Sequence, residues 1–210
     1  GLFGAGWAAR AVHGPALRDY AARSGGISLE VICDLSAERA EEVREMFGFR
    51  RAAVSLEHVL ASGEIDAAIV AVSVAHNAPV ASACIRAGVP TLMEKPPALT
   101  ARKVIALART VSRADAPLMV AFNRRFAPVV LTLKKAARQA GPVQSLRAEM
   151  RRVARTDPDF STTAIHVVDA LRFLADADYA ALDVVYGRCG GNLGSHHPDT
   201  VVSMHALGTM

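Results

Sequence analysis

Short apolar runs alternate with helical stretches through residues 1–122, and this alternation restricts the fold more than any other feature of the chain. Runs over 2–3, 28–33, 67–72, 89–93 and 118–122 read as strands, with 53–54 as a further short one. The nearly unbroken apolar character of 67–72 is what a parallel strand covered on both faces requires. Helical patterns fill the gaps. One starts near residue 8, is broken at Gly14-Pro15 and resumes to about 23. Another covers 36–47, with Ser36 as its cap and Ala40, Val43 and Phe47 on one face. Further helices are expected over 77–87, closed by Gly88, and over 100–111, capped by Thr100. Strands joined through helices imply right-handed crossovers and a parallel α/β sheet.

In such a sheet ligands bind beyond the carboxyl ends of the strands. The residues that matter are then those just after each strand: Gly4-Ala5-Gly6, Asp34, Ser73, Glu94-Lys95 and Asn123. All are expected along one edge.

Beyond residue 122 the pattern changes to a mixed α+β one. A helix over 128–140 leads through Gly141-Pro142 into a strand over 143–153 with a charged face. A helix over 162–174 and strands over 182–188 and 200–206 follow. The expected domains are 1–122 and 123–210. The chain begins at Gly1 without methionine and stops just after a strand, so the second sheet is expected to be incomplete.

Composition narrows the function classes. The chain is 51% hydrophobic and 21% charged, which is globular and not disordered. No apolar stretch approaches the roughly 20 residues of a membrane span. Cys33, Cys84 and Cys189 are scattered, match no metal spacing and suggest a reducing, cytoplasmic compartment. A net charge of +4 is mild for a nucleic-acid binder, and no aromatic–basic stripe is present. Arg147, Arg151 and Arg155 alternate along the charged strand, which is either a solvated face or a cleft for an anionic substrate.

Gly4-x-Gly6-x-x-Ala9 lies between a strand and a helix start. The first glycine permits a tight turn, the second admits a pyrophosphate close to the backbone, and the small third residue lets helix and strand pack. Gly4, Ala5, Gly6 and Trp7 are therefore candidate cofactor contacts, unless the glycines serve only the turn. Asp34 can accept hydrogen bonds from a ribose diol or cap the next helix. Its charge favours NAD(H) over NADP(H), while nearby Ser36 and Arg39 soften that preference and leave NADP(H) possible.

Lys95 stands in Met93-Glu94-Lys95-Pro96-Pro97, where an apolar run ends in an acid, a base and two prolines. An unpaired buried ammonium is costly, so this lysine must be solvated, paired or used. His76 follows Ser73 and either contacts the cofactor or begins the next helix. His166 and Asp169 are three apart and share a helix face. A carboxylate can orient an imidazole for proton transfer, or the two form a structural contact. His13, His58, His196, His197 and His205 form no comparable constellation.

The order Gly4-Ala5-Gly6, Asp34, Ser73 with His76, Glu94-Lys95-Pro96, Asn123-Arg124-Arg125-Phe126 and His166-x-x-Asp169 resembles the glucose–fructose oxidoreductase/inositol dehydrogenase family, Gfo/Idh/MocA. The resemblance runs from Gly1 to about Leu174. It implies an N-terminal Rossmann domain with a doubly wound parallel sheet and a C-terminal domain with an open mixed sheet. It also implies hydride exchange between a nicotinamide cofactor and a hydroxyl-bearing carbon of a sugar, sugar derivative or cyclitol. Lys95 would be the active-site lysine and His166 the catalytic histidine. Glu94, Lys95, Ser73 and His76 would border the cofactor, and the open sheet would join copies into a homodimer or homotetramer.

The departures are specific. Ser73-Val74-Ala75 replaces the family's Thr-Pro-Asn and loses an amide, and Thr162 stands where many members carry an aspartate. The second domain is also shorter. These differences favour the alternative of a nucleotide-binding protein of the same fold without redox turnover, whereas Lys95 and His166 favour an enzyme.

Overall fold

The computed structural model describes residues 1–141, 143, 145–148, 161–180, 183–188 and 201–207; of 161–163 and the last two segments, only the backbone is described. The chain divides into two compact units, Gly1–Ala121 and Phe122–Met210.

The first unit is a parallel sheet of β1 (Leu2–Phe3), β2 (Val31–Cys33), β3 (Arg51–Ala53), β4 (Ala68–Val70), β5 (Thr91–Met93) and β6 (Leu118–Val120). The strand order is β3-β2-β1-β4-β5-β6. The chain works outward from β1 to β3, then returns to lay β4 on the other side of β1, so β1 and β4 flank a topological switch point. Register is direct: Leu2 sits opposite Ile32 and Ile69, and Met93 opposite Val70 and Val120.

Strand side chains alternate between faces, and the core divides accordingly. Phe3, Val31, Cys33, Val70 and Met93 pack with Val59 of α3 (Leu56–Ser62), with Ala78, Ala81 and Cys84 of α4 (Val74–Arg86), and with Leu107 of α5 (Ala101–Val111). Leu2 and Ile32 pack on the opposite face with Ala9 and with Val43 and Phe47 of α2 (Ala37–Phe47). The sheet is thus covered on both faces, which is why its strands lack polar alternation.

Local signals set most helix ends. The hydroxyls of Ser36, Ser55 and Thr100 accept the amides of Arg39, His58 and Lys103, satisfying first-turn donors of α2, α3 and α5. The seven-residue α3 was not anticipated; it is too short to show a helical period of its own. Helix α4 starts at Val74, earlier than the 77 expected.

The break expected at Gly14-Pro15 does not occur. A π-helical turn, Ala9–His13, runs directly into α1 (Gly14–Ser24). Gly14 donates to the carbonyl of Ala9, five residues back, and Pro15 falls in the first turn of α1, where no amide is needed. Gly14 is small for a packing reason: a Cβ there would lie 2.4 Å from the Phe47 ring.

In the second unit a 3₁₀ turn, Asn123–Phe126, precedes α6 (Pro128–Ala140) and α7 (Ser161–Ala175). Strands β7 (Asp183–Arg188) and β8 (Val201–Leu207) pair antiparallel. Residues 143 and 145–148 are not in a strand; the rest of the expected arginine strand, including Arg151 and Arg155, lies outside the described residues, as do Cys189, His196 and His197. No helix among the described residues is long and apolar enough to cross a membrane.

Candidate active site

The glycine loop leaves β1 at the switch point. Gly4 adopts φ +100° and donates its amide to Cys33, 2.7 Å away. A Cβ at Gly4 would lie 2.4 Å from the Ala71 carbonyl oxygen, so glycine is required by both the dihedral and the neighbouring strand. Gly6 differs: a Cβ there would meet nothing within 4 Å. Its backbone faces open space at the start of the helix, as a pyrophosphate-binding loop requires. Ala9 is fully buried and lets the helix pack on the sheet. Trp7, the chain's single tryptophan, is 77% exposed in the first helical turn.

Asp34 closes this loop from the end of β2. Its Oδ2 accepts the Ala5 amide at 2.8 Å; its Oδ1 accepts the Ser36 amide at 2.9 Å and Arg39 Nη2 at 2.7 Å. The helix cap is Ser36, so the capping role considered for Asp34 falls to its neighbour. A carboxylate offers about four lone-pair sites. One on Oδ2 therefore remains for a ribose hydroxyl. Partial burial pushes the Asp34 carboxyl up, but the two amides and the Arg39 guanidinium outweigh it and hold the carboxyl below its ordinary value.

Arg10 was not anticipated. Its Nε donates to the Ala5 carbonyl at 3.1 Å, and its guanidinium pairs with Glu42 of α2, so the loop is also braced from above. These residues fit a dinucleotide: an open glycine backbone, a helix N-terminus and an ionised acid with spare acceptor capacity.

Ser73 follows β4, and its hydroxyl lies 2.8 Å from His76 Nδ1. Both are exposed, and His76 lies in the first turn of α4.

Glu94 and Lys95 follow β5, and the Lys95–Pro96 peptide is cis. The Glu94 amide donates to Val70 at 2.8 Å, extending the β4–β5 ladder. Glu94 Oε2 accepts the Lys95 amide at 3.2 Å, and its Oε1 lies 2.9 Å from His13 Nε2. His13 is buried in the π-helical turn after the glycine loop. The expectation that His13 joins no constellation is corrected by this contact, which spans 81 residues and has no local signature. Burial pushes the Glu94 carboxyl up, but His13 and Lys95 together hold it below its ordinary value. Asn77 of α4, 1% exposed, donates to the carbonyls of Glu94 and Pro96, each at 3.1 Å. It supplies a buried amide two positions beyond Ala75, the position at which Ser73-Val74-Ala75 lacks one.

In the second unit His166 and Asp169 are buried on α7. Arg125 grips both Asp169 oxygens, with Nε at 2.8 Å from Oδ2 and Nη2 on Oδ1. Its guanidinium also lies 5.6 Å from the ring centroids of Phe122 and Phe173. The carboxylate expected to orient His166 is thus already half of a bidentate ion pair, a partnership across 44 residues that helix spacing does not reveal.

Residues 1–122 match the oxidoreductase family with an NAD-binding Rossmann fold, Gfo/Idh/MocA. A myo-inositol dehydrogenase, Hyg17, of Streptomyces leeuwenhoekii is 31% identical over 69% of the chain and 47% of its own length. An inositol 2-dehydrogenase of Rhizobium meliloti is 28% identical over 99% of the chain and 65% of its own length. The crystal structure of an oxidoreductase from Agrobacterium radiobacter, in complex with NAD+, L-tartaric acid and magnesium, aligns with a TM-score of 0.71 at 25% identity. That alignment covers 90% of this chain and 57% of that one. The chain therefore spans about half to two thirds of the length of these two dehydrogenases.

Proposed function

The chain belongs to the Gfo/Idh/MocA oxidoreductase family, and from that membership we propose that it exchanges a hydride between a nicotinamide dinucleotide and a hydroxyl-bearing carbon of a sugar, sugar derivative or cyclitol. The observation that carries this reading is the placement of the glycine loop, Asp34 and Glu94-Lys95 at the carboxyl ends of β1, β2 and β5, parallel strands of one sheet. A bound dinucleotide supplies the hydride donor or acceptor; everything else falls to the protein.

The Gly6 backbone and the helix N-terminus hold the pyrophosphate, and Asp34 takes the adenosine ribose diol. Asp34 is ionised near neutral pH and repels a 2′-phosphate, which favours NAD(H); Arg39 beside it leaves NADP(H) accessible. Ser73, His76 and Glu94 border the cofactor further along the same edge. Lys95 hydrogen-bonds the substrate oxygen and stabilises negative charge developing there. His166 removes the hydroxyl proton in oxidation and returns it in reduction. Thr162 cannot ionise, so these two groups carry the proton chemistry without an acid at that position. Polyol and sugar-like substrates and a homodimeric or homotetrameric assembly complete the reading.

The test is a panel of cyclitols, polyols and sugars, each with NAD+ and NADP+, using the complete reading frame. Reduced nicotinamide appearing with a cyclitol or sugar supports the proposal. Quenching of Trp7 fluorescence by NADH, with no turnover anywhere on the panel, contradicts it and selects a nucleotide-binding protein without redox activity.

A further inference from the structure

The main chain around Lys95 is held on both sides by buried side chains from two different helices. The Asn77 amide donates one hydrogen to the carbonyl before Lys95, that of Glu94, and one to the carbonyl after it, that of Pro96. Both of its donors are thereby used. The orientation is determined by its partners, because the flipped amide would point oxygen at two carbonyl oxygens. Asn77 Oδ1 is buried without a hydrogen-bond partner among the described residues. An apolar side chain would avoid that cost but would leave both carbonyls without the Asn77 donor. His13 supplies the second hold, through Glu94 Oε1, while the other oxygen of the same carboxylate accepts the Lys95 amide.

We propose that Asn77 and His13 are positioning residues for Lys95. Asn77 fixes the backbone on both sides of the lysine, and His13 ties it, through Glu94, to the helix that follows the glycine loop. Helix α4 and the cofactor-binding helix thus meet at one lysine. This inference rests on the reading of Lys95 as the active-site lysine.

Lysine labelling tests it without turnover. The chain's lysines are Lys95, Lys103, Lys134 and Lys135, and exposed Lys103 on α5 provides an internal reference. The full chain is treated with trinitrobenzenesulfonate across a pH series, and each site is read by peptide mass. His13→Leu and Asn77→Leu should each change the Lys95-to-Lys103 rate ratio by about three- to tenfold, as loss of such hydrogen bonds predicts. The Lys95 pH profile should shift with it. His13→Gln, which keeps a donor nitrogen at similar reach, should restore the wild-type ratio. Should Asn77→Leu not fold, the His13 pair of variants decides.

An unchanged ratio in His13→Leu, or His13→Leu and His13→Gln behaving alike, overturns the proposal. Failure of the catalytic reading is distinguishable. Lys95→Met that keeps full turnover defeats that reading, whereas the labelling ratio reports the position of Lys95 whether or not it catalyses.

Discussion

His13 Nε2 lies 2.9 Å from Glu94 Oε1, joining the helix that follows the glycine loop to the end of β5. Each residue sits at one side of the proposed dinucleotide site, so the two halves of that site are mechanically connected.

The two glycines of the loop should separate cleanly on substitution. Gly4→Ala combines a left-handed dihedral with a clash against the Ala71 backbone, and should destabilise the chain by about 2–4 kcal/mol in urea unfolding. Gly6→Ala meets no atom and should change stability by less than about 0.5 kcal/mol. It should nonetheless weaken NADH binding, read by Trp7 quenching, because the methyl would enter the open space proposed for the pyrophosphate.

Asp34→Ala removes a charged acceptor that serves two backbone amides and, by proposal, the ribose. Charged hydrogen bonds are worth about 1.5–3 kcal/mol, so NADH affinity should fall by about tenfold or more. NADPH should lose less or gain, since the repulsion of its 2′-phosphate is gone. Arg39→Ala should act in the opposite sense on the NADPH-to-NADH ratio. Fluorescence titration of the variants with both dinucleotides measures it.

Acid should remove stability through specific carboxylates. Glu94 and Asp34 are held below their ordinary values of 4.5 and 3.8. A carboxyl with a lowered folded pKa binds fewer protons folded than unfolded, so its contribution is complete above the ordinary value. It is lost progressively as the pH falls from there through the folded value. Urea titrations at decreasing pH should show this loss, and Glu94→Gln should reduce its size.

Arg125→Ala leaves a buried Asp169 carboxylate without its bidentate partner. Breaking such a pair costs about 3–5 kcal/mol when fully buried, and partly exposed Arg125 places the expected loss at about 2–3 kcal/mol. Replacing both partners together, Arg125→Met with Asp169→Leu, should recover most of it. Thermal unfolding of the single and double variants checks the sign.

The parallel sheet was legible because five of its six strands are short apolar runs bounded by polar punctuation, a local property; β3, expected at 53–54, runs over Arg51–Ala53 and begins with a charge. The edge residues followed from it: Gly4, Asp34, Ser73, Glu94 and Lys95 all fall just after strands that run the same way. The third glycine position, Ala9, was legible for the same local reason. What escaped was tertiary. His13 and Glu94 are far apart in sequence, and no periodicity shows that a π-helical turn will bring one over the end of β5. The helical pattern marks Asn77 only as a helix start, since its burial depends on where the chain returns after β5. Arg125 reaches Asp169 from another element, across 44 residues, a partnership that the helix spacing of His166 and Asp169 does not reveal. Gly14-Pro15 misled in the other direction: proline predicts a break, and a π-helical turn absorbed it.

The most direct measurement is Lys95→Met, assayed with the best substrate found on the cyclitol and sugar panel. Turnover should fall by about a hundred- to ten-thousandfold, the range of general acid–base contributions. NADH affinity, read by Trp7 quenching, should change much less. Full turnover in Lys95→Met would contradict the proposed role of this lysine.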